Sequence, residues 1–216
     1  ESYLPHQSNS HGDSSSPTAF GVYMGIKSAV NHISGGDSLE GKKVLVQGVG
    51  NVGRKLVDHL LKENANVAIC DINQKNIDLM TDKKITVVDP ENIYDNFYDI
   101  ISPCALGGII NKNSLKDIKC DIIAGAANNQ LENDTDVPEE LNIKKILYVP
   151  DFLINAGGII SVYHEQINDI DFKKVMDMTG LIYDKVSSVI KYSDENKIST
   201  NSSAIQIAKD RIKENS

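Results

Sequence analysis

"VLVQGVGNVGRKLVDHLL", residues 44–61, is the stretch on which the reading of the whole chain turns. A short apolar run leads into Gly48, Gly50 and Gly53, spaced G-x-G-x-x-G, and the sequence then takes up a helical period. In a strand–turn–helix unit each glycine has its own task. Gly48 makes the tight turn, Gly50 leaves room for backbone to approach a pyrophosphate, and Gly53 lets helix pack on strand. The helix start around Asn51 and Val52 then offers unpaired N–H groups and the positive end of the helix dipole to an anion. The same spacing also describes a turn with no ligand, so the flanks must decide.

They decide for a nucleotide. Short apolar runs, "VLVQGV", "NVAIC", "ITVVD", "YDIISPC", "CDIIAGAA" and "ILYVP", alternate with polar or helical stretches up to Pro150. Nearly continuous Val and Ile suits strands buried on both faces, and the alternation predicts a mostly parallel sheet flanked by helices. The expected fold is α/β: Rossmann-like, doubly wound, with helices on both faces and a C-terminal helical segment. "NVAIC" ends at Asp71, 21 residues beyond Gly50. An acid there accepts hydrogen bonds from the adenosine ribose hydroxyls. It would also repel a 2′-phosphate, and Ile72-Asn73-Gln74 supplies no arginine to receive one. Lys75 softens that repulsion only in part. NAD is therefore the expected cofactor.

The remaining sequence sets bounds. The 216 residues, 40% of them hydrophobic, suffice for one sizeable core. A net charge of −8 disfavours nucleic acid and anionic membranes as partners, and no apolar run approaches a membrane span. Cys70, Cys104 and Cys120 form no C-x-x-C pair. They read as reduced thiols of a cytoplasmic protein, with no metal site. Residues 1–16 read as a polar lead, part of an interdomain segment in an excised piece of a longer protein, and 17–216 as the nucleotide-binding domain. Ser16-Pro17 looks like a helix start, followed by a stripe of Ala19, Val22, Tyr23, Ile26, Val30 and Ile33. Val175, Met178, Ile182, Val186, Val189 and Ile190 predict one long amphipathic helix over 171–193. "SAIQIAKDRIKENS" predicts a second, shorter one.

Three later stretches are unusual for a generic dinucleotide fold: "SPCALGGIIN" (102–111), "AGAANNQL" (124–131) and "VPDFLINAGGIISV" (149–162). With "GVGNVG" and "SSPTAFGVY" (15–23), they resemble the cofactor domain of the leucine/phenylalanine/valine branch of the glutamate dehydrogenase superfamily. The likeness runs in order from about Gly12 to the C-terminus. It implies NAD-dependent oxidative deamination of an L-amino acid to a 2-oxo acid and ammonia, in a full-length homo-oligomer.

The resemblance also implies roles. Thr18 would sit near the nicotinamide, and Pro103, Cys104 and Ala105 would line the adenosine side. Asn128 and Asn129 would face the nicotinamide ribose and the substrate, and Asn155 would hold the carboxamide. Asparagine suits these tasks because it donates and accepts without adding charge. The family's basic and carboxylate-binding lysines lie in a G-G-G-K stretch of a preceding substrate domain. No such stretch occurs here, so no catalytic residue is expected in these 216 residues. His6, His11, His32, His59 and His164 are isolated and read as solvated or packing residues. In the tail, "STNSSA" (199–204) puts Ser202 where the family carries an apolar residue that shapes the substrate pocket. That leaves the amino acid open. Two readings remain: the NAD-binding half of a dehydrogenase, or a stand-alone NAD-binding or sensing module.

Overall fold

The computed structural model describes residues 13–167 and 171–214, so His6, His11, Gly12 and most of the polar lead lie outside the described residues. The chain opens with α1 (Ser15–Ser34), β1 (Lys43–Gln47), α2 (Asn51–Lys62) and β2 (Asn66–Cys70). Then come α3 (Gln74–Asp78), β3 (Thr86–Val87), β4 (Tyr98–Pro103), α4 (Ser114–Asp117) and β5 (Cys120–Ile123). α5 (Asp136–Ile143) and β6 (Leu147–Tyr148) complete the sheet. The helices α6 (Asp151–Ile154), α7 (Gly157–Gln166), α8 (Phe172–Gly180), α9 (Ile182–Asn196) and α10 (Thr200–Glu214) follow.

Each apolar run forms a strand, and the six strands make one parallel sheet in the order β3-β2-β1-β4-β5-β6. Side chains alternate across a strand, so β1 feeds two cores. Val44 and Val46 pack with Val22 and Ile26 of α1, Leu56 and Leu60 of α2, and Val186 and Ile190 of α9. Leu45 packs on the other face with Ile101, Ile123, Leu115 and Leu141. Full burial of such a side chain contributes about 1.5–3 kcal/mol. Both faces are covered by helices, as expected for a doubly wound sheet.

Three expectations need correcting. α1 begins at Ser15, so the helix takes in the last two residues of the predicted lead, and Pro17 falls inside its first turn. Its stripe is buried at Ala19, Val22, Ile26 and Val30 and half-buried at Tyr23, but Ile33 is 47% exposed where the helix ends at left-handed Gly35. The long helix over 171–193 is two helices. Gly180, a poor helix former, ends α8, and Leu181 N–H closes a tighter turn onto the Met178 carbonyl (3.2 Å). Met178 then turns outward and is 41% exposed. The final helix starts three residues earlier than predicted, at Thr200, and with 15 residues equals α9 in length.

Candidate functional site

Because all six strands run the same way, the loops after β1, β2, β4, β5 and β6 gather at one edge of the sheet. The strand order reverses between β1 and β4, and a crevice opens at such a switch point. Gly48 turns there at φ +95°, and a Cβ on it would sit 2.6 Å from the Ala105 Cβ. Gly50 has no neighbour within 4 Å of its absent side chain, so the space in front of α2 is open. A methyl group on Gly53 would overlap the Gly48 carbonyl, so the helix lies directly on the turn. The first intrahelical bond of α2 runs from Arg54 N–H to Gly50 O (3.1 Å), leaving the N–H groups of Asn51, Val52 and Gly53 ahead of it. Asn51 Oδ1 accepts from the Arg54 guanidinium (2.8 Å), and Val52 packs against the core.

Asp71 follows β2 and is already tied to the glycine turn. Its Oδ2 accepts from Val49 N–H (2.9 Å) and Asn76 Nδ2 (3.0 Å), and its Oδ1 from Asn73 N–H (2.8 Å). Partial burial pushes this carboxyl upward, but the three hydrogen bonds outweigh it and hold the group below the usual carboxylate range. Asp71 is thus anionic at neutral pH and aimed beside the crevice. Ile72 is 90% exposed, an apolar surface next to it. Lys75 is exposed one turn further on. The supporting Asn76 escaped the sequence reading, since nothing local distinguishes it from a surface asparagine of α3.

The loops after β4 and β5 are laced together. Cys104 N–H donates to Gln47 O (2.7 Å), which seats Pro103, Cys104 and Ala105 against the glycine turn. Gly108 N–H donates to Asn129 O (2.7 Å) and Ile110 N–H to Gln130 O (3.0 Å). Gly125 lies so close to Pro103 that a Cβ would strike its backbone nitrogen at 2.5 Å. Burial pushes the Cys104 thiol above its ordinary pKa, so it packs against the core as a neutral thiol.

Asn128 and Asn155 meet directly, Asn155 Nδ2 donating to Asn128 Oδ1 (2.7 Å) and to Ala126 O (3.3 Å). Asn129 adopts left-handed backbone at φ +51°. Thr18 lies in the first turn of α1, its hydroxyl donating to Ser14 O (2.9 Å), and Gly158 at the start of α7 lies against that hydroxyl. Beneath the asparagines are two residues that sequence reasoning passed over. Gln130 is fully buried and Asp151 nearly so. Gln130 stood in the quoted "AANNQL" and Asp151 in "VPDF", but their pairing spans 21 residues and shows only in the fold.

Ser202 is not placed with them. It is exposed in the first turn of α10, bonded to Ser199 through its N–H (3.1 Å) and its hydroxyl (3.0 Å). α10 instead presents Asn201 and Ile205 to a cleft of about 540 Å³ shared with Asn129, Asp134 and Phe152. Of the described histidines, His32 is exposed near Asp194, His59 stacks on Tyr23 and His164 is buried against Met178. Among the described residues no cluster of three His, Cys, Asp or Glu could hold a metal ion. Nor is any described helix long and apolar enough to cross a membrane.

The strand order, the glycine turn into α2 and the acid after β2 define a doubly wound fold of the Rossmann-like class. The chain belongs to the Glutamate/Leucine/Phenylalanine/Valine dehydrogenase family, whose profile matches residues 10–74 and 69–216. It is 42% identical over 198 residues to an L-tryptophan dehydrogenase of Nostoc punctiforme, covering 90% of this chain and 55% of that protein. Leucine dehydrogenase of Bacillus subtilis is 40% identical over 204 residues, which cover 94% of this chain and 56% of that protein. The crystal structure of L-tryptophan dehydrogenase from Nostoc punctiforme superposes with a TM-score of 0.90 at 40% identity, over 94% of this chain and 62% of that one. The chain thus spans between 55% and 62% of the length of these relatives.

Proposed function

We propose that this chain binds NAD and forms the cofactor-binding half of an enzyme that oxidatively deaminates an L-amino acid with an apolar side chain. The observation that carries the reading is the junction of Asp71 with the glycine turn through Val49 N–H, beside the open space at Gly50. An anion in front of α2 would meet free N–H groups and the helix dipole. The ribose hydroxyls would meet the Asp71 carboxylate, and Ile72 would pack on the adenine. Asn128, Asn129 and Asn155 would orient the nicotinamide half. The bound nicotinamide ring supplies the hydride acceptor. The polar asparagine pair on that half supports an enzyme over a module that only senses NAD, and the cleft beside Asn129 offers room for the substrate side chain. Ser202 enters only as a residue whose neighbours in α10 reach that cleft.

Calorimetric titration of the chain with NADH and NADPH tests the reading. NADH should bind more tightly, because a 2′-phosphate beside an ionised Asp71 meets like charge. Asp71→Ala removes a charged acceptor worth about 1.5–3 kcal/mol, so the preference should shrink by roughly tenfold or more. The ratio is the readout, since the substitution also frees Val49 N–H and weakens both cofactors. Equal affinity of the unsubstituted chain for NADH and NADPH would remove Asp71 from the ribose.

A further inference from the structure

We infer that Gln130 and Asp151 form a buried clamp that positions Asn128, Asn129 and Asn155 for the nicotinamide half of the cofactor, while the adenosine half is held by separate contacts. The inference rests on the cofactor reading above. Gln130 Nε2 donates to two backbone carbonyls of the preceding loop, Gly125 O (2.8 Å) and Ala127 O (2.9 Å). Its own N–H donates to Asp151 Oδ2 (3.1 Å). The other carboxylate oxygen of Asp151 accepts from Phe152 N–H (2.8 Å), and Asp151 O accepts from Asn155 N–H (3.0 Å). One fully buried glutamine and one buried acid thus tie the loop that carries Asn128 and Asn129 to the short helix that Asn155 caps. The direct bond between Asn155 and Asn128 lies on top of this clamp.

The choice of glutamine needs a reason, because its Oε1 is buried without a hydrogen-bond partner. An unpartnered buried acceptor is costly, and an apolar side chain of similar size would avoid that cost. What glutamine adds is a pair of N–H donors on one rigid amide. Those donors fix the path of residues 125–127, and with it the left-handed turn at Asn129. Residues 125–127 reach the adenosine side at Pro103, whose carbonyl accepts from Ala127 N–H (2.9 Å), and the glycine turn beside it has contacts of its own. There the turn is held by Gly48 N–H on Cys70 O (2.8 Å), Cys104 N–H on Gln47 O (2.7 Å) and Val49 N–H on Asp71.

The test separates positioning from general stability. NADH and ADP share the adenosine and pyrophosphate, and only NADH carries the second ribose and the nicotinamide. Titrating the 216-residue chain and its Gln130→Met variant with both should show NADH affinity falling by about tenfold. ADP affinity should stay within about twofold of the unsubstituted chain, since the glycine turn and Asp71 are held by hydrogen bonds that do not include Gln130. Asp151→Asn, which keeps the side-chain size but loses one of two acceptor oxygens, should shift NADH in the same direction by less. It carries the same comparison if Gln130→Met does not fold. Equal losses for the two ligands would make the pair merely structural and overturn the inference, as would no loss for either. An unsubstituted chain that binds neither ligand overturns the cofactor reading itself, a failure visible before any variant is made.

Discussion

Gly53→Ala and Gly50→Val should fail in opposite ways. The Gly53 Cβ would overlap the Gly48 carbonyl, which is backbone and cannot swing aside, so helix and turn must separate. Overpacking of this kind costs about 1–3 kcal/mol or more, which lowers the melting temperature by roughly 2–12 °C in a domain of this size. Gly50 is different. Its φ of −68° is open to any L-residue and its missing side chain faces empty space, so a valine there strains nothing. It forfeits only the good N-cap, about 1 kcal/mol. The branched side chain does fill the space where a pyrophosphate would meet the N–H groups of α2. Losing two charge-assisted hydrogen bonds at about 1.5–3 kcal/mol each weakens NADH by roughly a hundredfold or more. Thermal melts and NADH titrations of the two variants give the contrast: one unstable, the other folded and unable to bind. A folded Gly50→Val variant with normal affinity would make the glycine turn structural only.

That contrast also shows what a one-dimensional reading can hold. The three glycines were legible because each task is local: a turn, a gap and a contact within six residues. The strands were legible for a related reason, since burial on both faces forces a run of Val and Ile whatever the neighbours are. The helix over 171–193 misled because its apolar period continues through Gly180, and periodicity does not register a single tightened turn at Leu181. Ser202 was chosen by its place in a motif, and a helix turns about 100° per residue. Asn201 and Ile205, one position before and three after, face the cleft instead. Gln130 and Asp151 were out of reach for another reason. A buried polar side chain is recognisable only from its partners, and theirs are carbonyls and N–H groups brought together by the sheet.

The largest expected effect is an absence: the 216-residue chain should bind NADH and yet reduce no NAD⁺ with any L-amino acid. Oxidative deamination needs a base to take the proton released at the amine, and a cation to hold the substrate carboxylate. Along the sheet edge, "GVGNVG", "SPCALGG", "GAANNQ" and "DFLINAGG" contain no lysine, arginine or histidine. Asp151 cannot serve as the base, because both its oxygens are engaged with N–H groups and it is buried under the loop. Cys104 is held as a neutral thiol by its burial. Lys55, on the helix behind the glycine turn, is bound to Asp13 (2.6 Å), Ser15 (2.7 Å) and Ser16 (2.7 Å). Under the proposed function Asn128, Asn129 and Asn155 would orient a nicotinamide, but an amide can neither remove a proton nor anchor a carboxylate as a cation does. A well-placed general base alone contributes about a hundred- to ten-thousand-fold in rate, and fixed geometry between reactants contributes more. Under the proposed function both come from a substrate domain that closes over this edge. The measurement is NADH absorbance at alkaline pH, with NAD⁺ and a panel of L-amino acids including leucine, valine, phenylalanine and tryptophan. The expected trace is flat for this chain and rises when the substrate domain is supplied in one longer polypeptide. Sustained NADH formation by the 216 residues alone would place the base and the anchor within them, and the division of labour proposed here would fall.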